Sequence, residues 1–317
     1  MELISVVLPV FNGEETIKET VNSVLNQTFR NWELIVINDG SQDATLEIVS
    51  SIKDERIKVF SYPNKGQPAS RNRGIARAKG EYISFIDADD LWTADKLEAQ
   101  YQALRDNPQA AVAYSWTDWI DESGQLLSCG SYISENGDVF AQLLLQDFIA
   151  NGSNPLIRRQ ALLNVGNFDE SLSNAHDWDM WLRLAAHYPF VVVPSAQILY
   201  RKSTSSMSAN VWGMEASSLR VIEKALAQAP ESIQQLKRSI LANRYKYLTY
   251  KAVEWPLERK RGLAAMKFLV TSIQYDPVML RRFKLISILL FKIAVAVGLP
   301  DQVVQRRIAK LKLLNKK

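Results

Sequence analysis

The chain holds 317 residues, 47% of them hydrophobic, which is enough apolar material to fill a sizeable core and excludes a disordered polar chain. One cysteine, Cys129, and two histidines exclude an internal disulfide framework and a Cys/His zinc site, and point to a reducing, cytoplasmic setting. The net charge of +4 hides a polarity: residues 1–205 carry 17 Lys+Arg against 27 Asp+Glu, a net of −10, while residues 206–317 carry 21 against 7, a net of +14.

The opening "MELISVVLPVFNGEE" has an apolar run that is short, broken by Pro9 and followed at once by acids. It reads as a buried strand over Ile4–Val10 rather than a secretory signal. Further strands are predicted at 33–38, 57–62 and 82–87, with amphipathic helices at 15–26, 43–52, 69–78 and 95–107. This alternation is the pattern of βαβ units around a mostly parallel sheet, an α/β fold. Ligands of such sheets sit beyond the carboxyl ends of the strands, so the residues that follow each strand are the candidates for chemistry.

After Asp121 a polar loop runs to Gly137, followed by a helix at 139–150, an apolar piece at 155–157, a helix at 176–187 and a strand at 190–200. From Val211 onward the period is helical, punctuated by Pro230, Pro256, Pro277 and Pro300. The boundary falls near 205–210 and gives an expected catalytic domain at 1–207 and a basic helical region at 208–317. Within that region, residues 281–317 join the apolar run "LISILLFKIAVAVGL" to ten Lys/Arg and one acid, Asp301. Fifteen residues that include Lys292 are too short for a hydrocarbon layer that needs about 20. Peripheral contact with the inner face of the cell membrane is therefore expected, with packing on the catalytic domain or oligomerisation as the alternatives. No motif for nucleic acid accompanies the basic region.

Three strand ends carry unusual residues. The first, "LPVFNGEE", leaves Phe11 to stack on a base and Glu14 to accept from ribose hydroxyls. The second, "IVINDGSQDAT", places Asp39 at a strand tip, where a carboxylate can accept the N3 hydrogen of uracil, while Asp43 fits a helix N-cap. The third, "YISFIDADDLW", sets Asp87, Asp89 and Asp90 after a buried strand, and their repulsion calls for something positive. A divalent cation, Mg²⁺ or Mn²⁺, takes one or two carboxylates and completes its shell with substrate phosphate oxygens. Alternation would send Asp87 and Asp89 to the same side and Asp90 elsewhere.

With these strand ends read together, the sequence resembles glycosyltransferase family 2 over about residues 3–205. The segments "SVVLPVFNGEETI", "ELIVINDGSQDAT", "GQPASRNRGIARAKGEYISFIDADD", "FDESL" and "HDWDMWLRL" fall in that family's order. The resemblance implies the GT-A fold, a three-layer α/β/α domain, here with a C-terminal helical region. It implies that Pro9, Phe11, Glu14, Asp39, Arg71 and Asp87 contact the nucleotide of a nucleotide-sugar donor, that Asp87 and Asp89 hold the metal, and that Arg73 is a contact or a structural partner of the acids. In inverting members a carboxylate at a helix start serves as general base, and Asp177 of "AHDWDMWLRL" takes that place, with His176 where Glu is more usual. Helix capping is the plain alternative for Asp177, an Asp179–Arg183 pair on the helix surface accounts for Asp179, and Trp178, Trp181 and Leu182 read as core. Basic loops after the last strand of similar enzymes imply diphosphate contacts for Arg201 or Lys202. The acceptor implied is a saccharide or a lipid-linked glycan. The rivals are a nucleotidyltransferase, whose glycine-rich phosphate loop is missing from "PVFNGEE", a retaining transferase, and a non-catalytic membrane-associated protein that binds nucleotide sugars.

Overall fold

The computed structural model describes residues 2–202, 210–254 and 258–298. The chain forms two compact units, Met1–Ser203 and Thr204–Lys317. In the first, β1 (Ile4–Val10), β2 (Trp32–Asn38), β3 (Ile57–Ser61) and β4 (Tyr82–Phe85) build a parallel block in the order β3-β2-β1-β4. The sheet continues from β4 through the antiparallel β8 (Leu156–Arg158) to β6 (Val112–Ile120), which runs parallel to β9 (Phe190–Arg201). The short β5 (Leu91–Trp92) edges β9, and β7 (Leu126–Cys129) forms a hairpin with β6.

Side-chain alternation along β1 assigns the two faces. Ile4, Val6, Leu8 and Val10 point into one core with Ile17, Val21 and Val24 of α1 (Ile17–Leu25), Val49 of α2 (Thr45–Ser51) and Leu97, Tyr101 and Leu104 of α4 (Lys96–Asp106). Each buried aliphatic side chain among them contributes about 1.5–3 kcal/mol. Val7 points the other way, onto α3 (Gln67–Arg77). On that face Phe85 meets Phe168, which follows α6 (Arg159–Val165), and Trp181 of α7 (His176–Ala185). The expected three-layer α/β/α arrangement is therefore present.

Several elements differ from expectation. The sequence reading passed over β6, whose Ala-rich start hides a run of aromatic and β-branched residues, and over α6. The helix expected at 139–150 is only α5 (Phe140–Leu145), because Gln146 turns extended and Ala150 takes a positive φ of 71°. The strand expected at 82–87 stops at Phe85, so the acidic residues lie in a turn beyond it.

The second unit is helical, as its period indicated. It comprises α8 (Val211–Gln228), α9 (Glu231–Gln234), α10 (Lys237–Ala252), α11 (Arg259–Tyr275), a 3-10 turn at Pro277–Arg281 and α12 (Phe283–Gly298). Its own core includes Leu248, Phe268, Leu269, Leu289 and Ile293. Of the expected membrane-contacting stretch 281–317, residues 299–317 lie outside the described residues.

Lys96 is fully buried, donates to the Ser84 hydroxyl at 2.6 Å and lies 3.9 Å from the Trp92 ring centroid. Burial pushes its pKa well below the ordinary 10.5. The unfolded chain then holds this proton more tightly than the folded one, so stability rises with pH from the folded pKa toward the ordinary value. Lys96→Met is expected to raise the urea midpoint at neutral pH, by an amount that shrinks as the pH climbs. A midpoint lowered by the substitution would show that the buried amine stabilises the fold.

Candidate active site

The loops after β1 and β2 are laced together by side chains. Asn12, at a left-handed φ of 51°, accepts from the Gln42 N–H through Oδ1, while its own N–H donates to Ser41. The Gly13 N–H donates to Thr45 Oγ1, and the Glu14 N–H to Asp43. Glu14 uses Oε2 to accept from the Ala44 N–H. Asp43, expected as the N-cap of α2, stands one residue before the cap position, which Ala44 takes; its carboxylate accepts from the N–H groups of Thr45 and Glu14 and ties the two loops. These bonds present Phe11, 51% exposed, at the sheet edge.

Asp39 is buried at the tip of β2. Its carboxylate accepts from the N–H groups of Lys65 and Gly66 and pairs with Arg73 at 2.8 Å. Arg73 thus sits as the structural partner of an acid. A carboxylate offers about four acceptor positions, so three donors leave one.

Asp87 donates its backbone N–H to Ser153 and accepts through Oδ1 from Gln67 at 2.6 Å and from Arg71 at 2.7 Å. Arg71 is 1% exposed, and its Nε and Nη1 have no partner among the described residues. A Cβ on Gly152 would lie 1.9 Å from Arg71 Nη2, so only glycine lets the guanidinium reach Asp87. Gln67 precedes Arg71 by one helical turn, a spacing that the sequence offered and the reading passed over.

The turn 87–90 is closed by the Asp90 N–H donating to the Asp87 carbonyl at 3.1 Å. Strand alternation therefore does not govern these acids; the turn does. Asp90 points inward, fully buried, and accepts from the Ser153 hydroxyl and the Arg201 N–H. Burial, then the charges of Asp89 and Asp87, push its pKa well above the carboxylate range. Asp89 keeps part of its surface open, and burial followed by the charge of Asp87 pushes it up to about 6. The Thr16 and Thr20 hydroxyls hold the turn from α1 by donating to the Ala88 carbonyl, and Thr20 reaches the Asp90 carbonyl as well.

Arg201 is buried beneath this turn. It donates to the carbonyls of Asp89, Asp121 and Glu122 and pairs with Glu19 at 2.7 Å. Its guanidinium braces the turn, while Lys202 Nζ lies 4.6 Å from the Trp119 ring centroid.

At the start of α7, Ala175 takes a positive φ of 56°. Asp177 is half-buried and accepts from the Trp178 N–H at 2.8 Å. His176 is buried with both ring nitrogens unpartnered, and burial, then the positive charge of Arg71, push it down to about 3, so the ring is neutral. Arg71 and Asp87 both act on His176, which places the start of α7 in their electrostatic neighbourhood. Trp178, Trp181 and Leu182 are core, as read. The Asp179–Arg183 pair forms at 2.9 Å, but Asp179 is buried, and Arg183 also donates to the carbonyls of Val165 and Asn167. That pair stitches α7 to the end of α6 instead of decorating a surface.

The chemistry of the donor set suits a hard divalent cation held by two carboxylates. Asp90 is committed inward, whereas Asp87 retains Oδ2 and Asp89 retains its side chain, and the charge of Asp87 raises the cost of ionising Asp89. Two carboxylates completed by phosphate oxygens satisfy such a cation.

Comparison with known proteins bears on this geometry. The profile of glycosyltransferase-like family 2 matches residues 5–252. An uncharacterized glycosyltransferase of Rickettsia typhi is 37% identical over 187 residues, 57% of this chain and 58% of that protein. The match spans less than two thirds of such relatives, and 26% of the one in Rickettsia bellii. The UDP-Glc:alpha-D-GlcNAc-diphosphoundecaprenol beta-1,3-glucosyltransferase WfgD of Escherichia coli is 31% identical over 211 residues, 66% of this chain and 80% of that one. Among solved structures, residues 1–349 of TarS from S. aureus superpose with a TM-score of 0.64 at 19% identity, covering 94% of this chain and 88% of that one. The mannosyltransferase PcManGT of Pyrobaculum calidifontis, in complex with GDP-Man and Mn²⁺, superposes at 0.58 with 17% identity, covering 93% and 86%. At these identities the superpositions show the shared GT-A-type fold.

The acidic turn makes a prediction for the metal-free protein. A carboxyl whose folded pKa is about 6 against an ordinary 3.8 contributes stability that is full below the lower value and lost as pH rises through the higher. In chelator, Asp89→Asn is expected to unfold at a higher temperature than the unsubstituted protein near neutral pH and at the same temperature near pH ~4. Melting curves that coincide at both would place Asp89 in ordinary solvent.

Proposed function

The chain belongs to the glycosyltransferase-like family 2 enzymes, and from that footing we propose an inverting transfer from a UDP-sugar to a hydroxyl of a lipid-carried glycan. The observation that carries this reading is the turn 87–90, where Asp87 and Asp89 share a cramped, partly open position backed by Arg71. A turn that is costly to ionise alone becomes favourable once a cation and a diphosphate complete it. Family membership sets aside the nucleotidyltransferase and non-catalytic readings.

In this reading Phe11 stacks on the base, Pro9 and Glu14 border the nucleoside, and Asp39 accepts the N3 hydrogen of uracil at its remaining acceptor position. Arg71 faces the donor while it fixes Asp87. Mn²⁺ or Mg²⁺ on Asp87 and Asp89 would neutralise charge on the donor diphosphate. Asp177 accepts the proton of the acceptor hydroxyl, and the oxygen forms its bond to the anomeric carbon. The bond from that carbon to the diphosphate breaks with inversion, and UDP carries away the electron pair. The Trp178 N–H donates to one carboxylate oxygen of Asp177 and so fixes the direction of that carboxylate. We assign the diphosphate contact beyond β9 to Lys202, with Arg201 acting through the turn that it braces.

The choice of UDP and of a lipid-carried acceptor draws on the E. coli relative, which is named for UDP-glucose and a diphosphoundecaprenol acceptor. TarS residues 1–349 have been solved with UDP-GlcNAc.

Asp177→Asn is expected to lower turnover by about 10²–10⁴, the range of a general base, while UDP affinity by calorimetry stays within about twofold. Normal UDP release by this variant would sink the base assignment. Anomeric NMR of the product separates inversion from retention.

A further inference from the structure

Helix α12 is apolar on more sides than its packing uses. Leu289, Ile293 and Ala296 form the buried stripe, about one turn apart, that joins the core of the second unit. Away from that stripe, Phe283, Ile288, Leu290 and Phe291 are 77%, 56%, 41% and 70% exposed. A helix that packs on one side ordinarily places charged and polar residues on the other. Here the exposed charges are Lys284 and Lys292, preceded directly by Arg281 and Arg282. Across residues 259–298 there are eight Lys/Arg and a single acid, Asp276, which caps the 3-10 turn by accepting from the Val278 N–H.

We propose that α12 lies flat on an anionic lipid bilayer. Phe283, Ile288, Leu290 and Phe291 enter the boundary between headgroups and acyl chains, and the four flanking cations meet lipid phosphates. This goes beyond the transfer reaction and does not depend on it. Two features select this occupant. Sixteen helical residues span about 24 Å, short of a hydrocarbon layer of about 30 Å, and no described helix is long and apolar enough to cross a membrane. The helix therefore lies on a bilayer rather than through it, and the long stems of its lysines can follow the apolar surface while their ammonium groups stay at the phosphates. A second copy of the chain is a poor occupant, because a two-fold contact sets a patch against itself and would bring these cations together with no acid between them.

Co-sedimentation of the full chain with phosphatidylcholine vesicles, with or without about one third phosphatidylglycerol, tests the proposal. At about 0.1 M salt, binding to the anionic vesicles is expected to be about tenfold stronger than to the neutral ones and to weaken as salt is added. Phe283→Ser with Phe291→Ser is expected to reduce anionic binding by about tenfold, and Lys284→Gln with Lys292→Gln to reduce the preference for anionic lipid. Both pairs are exposed, so UDP affinity by calorimetry is expected to match the unsubstituted chain. Equal binding to both vesicle types would overturn the proposal, as would full binding by the phenylalanine pair. A dimer in sedimentation velocity that the phenylalanine pair dissolves, with no vesicle binding, would assign the face to a second copy instead.

Discussion

Three carboxylates within four residues govern the first unit. At an effective dielectric of about 20, two like charges some 5 Å apart repel by about 3 kcal/mol, which is a large share of the stability of an ordinary domain. The protein disperses this strain in three directions. Asp87 is tied to Arg71 and Gln67, Asp90 is turned inward onto Ser153 and the Arg201 N–H, and Asp89 is left partly open with its proton held up to about 6. These partners come from α3, from the loop before β8 and from the end of β9, so segments distant along the chain hold this one turn.

The supports of that turn also shape the rest of the site. Arg71 reaches Asp87 only because residue 152 has no side chain, and it leaves two guanidinium nitrogens, Nε and Nη1, without a partner among the described residues in a buried place. Buried donors without acceptors are uncommon and costly, and they cluster where a ligand supplies the missing acceptor. His176 lies in the same neighbourhood and is neutral, so it adds no charge beside Asp177. Arg201, by contrast, is surrounded by carbonyls and Glu19, and its charge offsets the turn from below.

Charge divides the molecule by task. The first part is net acidic and carries three of its acids in the turn 87–90, while the basic second part offers cations beside exposed apolar side chains.

The sequence by itself determined the parallel βαβ block, because runs of buried β-branched residues have one stable use and the helices between them had a clear apolar stripe. It also determined which strand tips carry acids and that Asp177 opens a helix, since both follow from local order along the chain. Tertiary structure alone decided what those groups do with their charge. Whether an arginine faces a ligand or a carbonyl depends on neighbours far away in sequence: Ser153 reaches the acidic turn, and Gly152 lies against its partner Arg71, from a loop more than 60 residues downstream, and Arg201 reaches the turn from 111 residues beyond Asp90. Strand β6 does carry a local run of aromatic and β-branched residues behind its Ala-rich start, but its neighbours in the sheet, β8 and β9, are set only by long-range pairing. Periodicity reports which side of an element is buried; only the folded chain reports what it is buried against.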